Sequence, residues 1–186
     1  MSDPDGRLRG SGVAALAGVG SFLLGYVITY GWKANAVERA LEPLNVAADL
    51  FGGDPIPAWK VVGWLFFGAH FVPTTIEVGP LGPRSVDLIA AGTGSLELLY
   101  LLPPVLLLVA GGLVGWRTDR LSSVGDRALA GAAVALGYAP AALLTVALVR
   151  IGESGPGIVR TALIAAVLYP VVFGVSGALI AGRLRR

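Results

Sequence analysis

The chain is predicted to be all-α: an integral membrane bundle of four transmembrane helices with an outer-face cap of two short amphipathic or re-entrant helices. Three observations lead there. Four runs, residues 11–32, 95–116, 129–149 and 158–181, are apolar and long enough to cross a bilayer, whose hydrocarbon core of about 30 Å takes about 20 residues of helix. None of them carries a charge near its midpoint. Hydrophobic residues make up 55% of the 186 residues and charged ones 14%, against soluble averages of about 45–50% and about 25%. So apolar a chain of this size cannot bury enough of itself to cover the rest in water. The whole of 1–186 reads as one membrane domain.

The first span, 11–32, follows a short stretch in which Asp3 and Asp5 offset Arg7 and Arg9. It is longer than the 7–15-residue apolar core of a signal peptide, so it is read as uncleaved. Tyr26, Tyr30 and Trp32 suit an interfacial belt at its far end.

An outer segment, 35–75, comes next, with a return loop over 76–94. Val37, Ala40, Leu41, Leu44, Ala47, Ala48 and Phe51 recur at helical spacing, which predicts an amphipathic helix over 35–51. Pro43 is expected to kink or break it, and GGDPIP to end it. The aromatic stretch after it has an apolar core, 61–72, of twelve residues. A run of 10–14 is more often re-entrant, interfacial or buried than spanning. Trp59, Trp64, Phe66, Phe67 and Phe71 are expected at headgroup level. If this stretch does cross, the chain has five spans.

Arginine placement favours four. With four crossings, Arg7, Arg9, Arg117, Arg120, Arg127, Arg183, Arg185 and Arg186 share one face in short stretches, as the positive-inside bias requires. Both termini are then cytoplasmic in a multi-pass protein of the cell membrane. The net charge of +2 reflects these helix-end arginines rather than a nucleic-acid surface.

Within the spans, Tyr100 precedes Pro103 and Pro104, Tyr138 precedes Pro140, and Tyr169 precedes Pro170. Each proline opens a backbone carbonyl one turn earlier. The packing reading has kinked helices with tyrosine hydroxyls bonding those carbonyls. The functional reading has a broken-helix cavity holding a small ligand or ion. Small residues at fourfold spacing (Ala14–Gly18, Gly111–Gly115, Gly131–Ala135 and Gly174–Ala178–Gly182) predict close helix contacts.

Two further polar residues stand out. Glu97 is either a first-turn acid favoured by the helix dipole or a proton or cation acceptor at the outer mouth, paired with Arg84 or His70. His70, the one histidine in a chain without cysteine, cannot make a His/Cys zinc site. It is either an interfacial hydrogen-bonder or a pH sensor. The candidate polar or transport residues are therefore Glu97, Tyr100, His70, Tyr138 and Tyr169, and the kink positions are Pro103, Pro104, Pro140 and Pro170. No catalytic, cofactor-binding or metal residue is assigned. G-x-S-x-G, P-loop and dinucleotide fingerprints do not occur.

WKVVGWLFFGAHFVP at 59–73, RSVDLI at 84–89 and LLYLLPPVLLL at 98–108 resemble an uncharacterised family of small haloarchaeal polytopic membrane proteins. Phe67–Gly68 departs from the Tyr-Asn pair expected there before Ala-His. The resemblance implies an archaeal plasma membrane and a halophilic source, and supplies no substrate or cofactor. The function expected is a structural or accessory membrane subunit acting through helix–helix contacts, not an enzyme. The alternative is a small transporter or channel with a path near Glu97, Tyr100 and His70. Partners expected are the lipid bilayer and a second copy or another membrane protein, with no nucleic acid and no cofactor.

Overall fold

The computed structural model describes residues 4–77, 82–92, 95–117 and 123–184. Its elements are α1 (Pro4–Leu50), α2 (Ala58–Gly68), β1 (Thr74–Glu77), β2 (Pro83–Val86), a 3-10 segment (Ser95–Leu101), α3 (Leu102–Arg117), α4 (Val124–Ala132), α5 (Ala135–Val149), β3 (Gly155–Pro156), α6 (Ile158–Arg160), a π segment (Thr161–Leu168) and α7 (Tyr169–Leu184). Among the described residues, four stretches are long and apolar enough to cross a membrane: Gly10–Leu50, Leu96–Arg117, Val124–Val149 and Ile158–Leu184.

The first correction concerns α1. The expected break between a span at 11–32 and an amphipathic helix at 35–51 does not exist; α1 is one helix of 47 residues, about 70 Å long. Pro43 lies inside it. Proline there forfeits one backbone bond, and tertiary contacts hold the helix on both sides of it. Val37 and Leu41 are buried in a cluster with Val62, Leu65, Ala69, Ile89 and Leu99. The Asn45 side chain accepts from the Ile56 N–H at 2.7 Å and donates to its carbonyl at 3.3 Å, clasping the incoming chain. The helix stops at the glycine pair as expected, with Gly52 in the left-handed region at φ 74°.

α2 is re-entrant. It runs antiparallel to α5, starting where Lys60 Nζ donates to the Arg150 carbonyl and Trp64 Nε1 to the Val149 carbonyl, both at 2.9 Å. These bonds satisfy carbonyls left open at the C-terminus of α5. Ten residues after Lys60 and twelve before Arg150, His70 meets Tyr138, consistent with rises of about 15 and about 18 Å along the two helices. The chain then returns as β1, which pairs antiparallel with β2 and with β3 in the hairpin between α5 and α6. Entry and exit of α2 thus lie at the same end of the bundle. Trp64, Phe66 and Phe67, expected at headgroup level, are buried in the core, while Trp59 and Phe71 stay exposed. The three-stranded sheet was not anticipated.

Proline shapes the helices in three ways. Pro103 and Pro104 fall in the first turn of α3, where a missing N–H costs little. Upstream of Pro140 the backbone tightens, with Leu136 N bonding Ala133 O at 3.0 Å and Gly137 N bonding Val134 O at 3.3 Å. Upstream of Pro170 it widens into the π segment. Both distortions precede a proline whose ring displaces the carbonyl four residues back.

The small-residue stripes lie at helix contacts within the chain. A Cβ at Gly111 would strike the Gly174 backbone, one at Gly18 the Val134 carbonyl, and one at Gly137 the Ala15 carbonyl. Large apolar side chains face outward instead, with Leu16 74% and Leu163 65% exposed. Gly137→Val should therefore lower thermal stability in detergent by at least the ~1–3 kcal/mol of an overpacked core. Gly20→Ala, with open space around it, should be neutral or slightly stabilising.

Candidate functional site

Four of the five polar residues singled out in the sequence converge on the turn that ends α2. His70 is fully buried. Its Nδ1 lies 2.8 Å from the Phe66 carbonyl and its Nε2 2.6 Å from the Tyr138 hydroxyl. A carbonyl only accepts, so Nδ1 carries the proton, Nε2 offers its lone pair, and the Tyr138 O–H donates to it. The Tyr169 ring lies 5.0 Å from the imidazole. Phe71 stacks on Tyr100 at 4.5 Å with 9° between planes.

Local backbone chemistry explains why the turn sits there. Phe71 N donates to Gly68 O at 2.8 Å and Val72 N to Phe67 O at 3.2 Å, the two bonds of a Schellman stop. The residue at its left-handed position is normally glycine; here it is Phe71, at φ 57°. That conformation costs about 1–3 kcal/mol for a non-glycine residue, and the stack on Tyr100 offsets part of it. Pro73 then prevents the helix from resuming.

The pair sits inside an aromatic cluster. Phe22 of α1 meets Phe66 at 5.2 Å and Tyr138 at 5.1 Å, both edge to face, and Phe66 meets His70 at 5.0 Å. Ring pairs of this geometry contribute about 0.5–1.5 kcal/mol beyond burial. Towards the sheet end, Tyr100 donates to the Asp87 carboxylate, 3.1 Å from Oδ2. Asp87 Oδ1 also accepts from the Ile89 and Ala90 N–H groups. One linked set thus runs from Tyr138 through the turn to the return loop.

Several expectations need correction. Tyr138 and Tyr100 do not bond proline-freed carbonyls; their hydroxyls take His70 and Asp87, stronger acceptors brought close by tertiary packing. His70 is a hydrogen-bonder, but inside the bundle rather than at an interface. Glu97 is in the first turn of the 3-10 segment, exposed, and pairs with neither Arg84 nor His70. Among the described residues the ion pair is Arg150–Glu153, at 3.7 Å. The partnerships of Asp87, Lys60 and Trp64 were not foreseen. Nor were two buried hydroxyls, Thr74 in β1 and Thr161 at the head of the π segment, which have no hydrogen-bond partner among the described residues. No three His, Cys, Asp or Glu side chains come together among the described residues to hold a metal ion.

Tyr138→Phe strands the His70 lone pair, and thermal unfolding of the purified protein should show a loss of about 1–3 kcal/mol.

No curated protein and no solved structure matches the chain. Over residues 2–185 it matches a family model, and the chain belongs to that family of unknown function, DUF7978.

Proposed function

We propose that the chain is a four-span integral membrane protein acting as a structural or accessory subunit through helix–helix contacts. Both termini are cytoplasmic and the sheet end is outside. The observation carrying this reading is the filled centre of the bundle. Phe22, Phe66, Phe67, His70 and Tyr138 are each no more than 1% exposed and in mutual ring contact. Both His70 nitrogens are engaged, one by the Phe66 carbonyl and one by the Tyr138 hydroxyl, whose proton is used in that bond. A path for ions needs polar groups facing water or each other along its length; here aromatic rings occupy that position. With His70 about 18 Å in from the sheet end of α5, the plug stands near the middle of a core of about 30 Å. The arginines at the opposite end supply the orientation, and the outward-facing leucines and valines suit lipid. The archaeal, halophilic source implied by the sequence resemblance belongs to the same proposal.

The transport alternative draws on one observation, a half-helix that ends at mid-depth and returns as extended chain, as broken helices do in transporters and channels. Reconstitution separates the two. Proteoliposomes carrying the purified chain should show proton and cation flux no greater than empty vesicles, and a tagged chain should copurify with one membrane protein in fixed ratio. Flux that Tyr138→Phe or Phe67→Ala changes several-fold would move the transport reading to first place.

A further inference from the structure

α3 and α7 cross through glycine. Gly111 and Gly115 of α3 sit against the backbones of Gly174 and Ala178, and on the outward side the seam opens into a groove of about 340 Å³. Val109, Gly112 and Leu113 form one wall, and Ile180 and Leu184 line the other. At one end the groove reaches Trp116. Next to it Arg117 closes α3, and Arg183 stands in the last turn of α7, both exposed. A Cβ on Gly182 would strike the guanidinium of Arg127 in α4, so a third arginine lies over α7 at this same end. None of the three forms an ion pair with a described residue. The nearest acid along the chain, Asp126, is the first-turn residue of α4 and accepts the Ser123 hydroxyl at 2.8 Å.

We infer that this groove is a site for an anionic phospholipid, one acyl chain lying along the α3–α7 seam and the phosphate on Arg117 and Arg183. The inference rests on the chain's being embedded in a bilayer. Charge complementarity selects the headgroup, since arginines at the membrane surface attract anionic lipid. Tryptophan at the mouth suits the interfacial level. The lining is apolar side chain and glycine, which suits an acyl chain. Glycine at 112 keeps the groove open, and Gly177 lets α7 lie against the α3 backbone at Leu108.

The test is native mass spectrometry of the full-length detergent-solubilised protein, titrated with phosphatidylglycerol or with phosphatidylcholine of the same acyl chains. One phosphatidylglycerol should be retained, with a dissociation constant about tenfold below that of phosphatidylcholine. Arg117→Gln with Arg183→Gln should bring the two lipids to near equality. Gly112→Leu, whose Cβ has room 3.7 Å from the Gly177 carbonyl, should fill the groove and remove the retained lipid. Equal retention of both lipids by the unaltered protein overturns the proposal, and so does a Gly112→Leu protein that keeps its lipid. A dimer that Gly112→Leu dissociates also overturns it, in favour of a second copy of the chain. Failure of the membrane reading is seen separately, because carbonate washing would then release the protein from cell membranes.

Discussion

Everything at the centre of this molecule depends on bringing a helix end deep into an apolar bundle without stranding its backbone. The last carbonyls and the departing N–H groups of α2 have no water at that depth, and each unpaired group costs several kcal/mol. The chain meets the requirement locally: the Schellman bonds at Phe71 and Val72 close the helix, and the His70 ring takes the Phe66 carbonyl one turn back. His70 then has one nitrogen left over. Tyr138, a full helix away on α5, satisfies it. The His–Tyr bond is thus the point at which a local backbone obligation becomes a tertiary one.

From that point the other contacts follow. α2 must lie against α5 closely enough for the bond to form, so Gly63 faces Val149 without a side chain, and Lys60 and Trp64 reach the end of α5. Phe71 is held in a left-handed conformation by the Schellman bonds, and packing on Tyr100 offsets part of its cost. Tyr100 in turn holds Asp87 and the return loop, and β1 leaves the bundle to pair with the α5–α6 hairpin. The distorted backbone before Pro140 and Pro170 flanks Tyr138 and Tyr169, the two tyrosines against His70. Proline's effect on these helices is therefore concentrated where the plug forms.

Much of this was legible in the sequence, and the limits have physical causes. The four apolar stretches could be read directly, because twenty apolar residues in a row carry their own signal. That α2 is too short to join the four long apolar helices followed from a core of only twelve apolar residues. His70, Tyr100, Tyr138 and Tyr169 could be picked out singly, but their convergence was not legible, since His70 and Tyr138 are 68 residues apart and meet only through packing. Continuity of α1 through Lys33–Asn35 was missed because span length and amphipathic pattern divide one helix into two. No breaker stands between them, and that was the available clue. Strands of four and two residues lie below any periodic pattern.

The central claim is that the α2 hairpin enters and leaves the bundle on one face, and cysteine labelling tests it most directly. The chain has no native cysteine. Single cysteines at Asp54, Glu77, Glu153 and Gly125, all exposed, can be probed with an impermeant thiol reagent on intact cells and on inverted vesicles. Asp54, Glu77 and Glu153 should label from the same side and Gly125 from the other. Labelling of Asp54 and Glu77 from opposite sides would mean that α2 crosses the membrane, and would contradict the account.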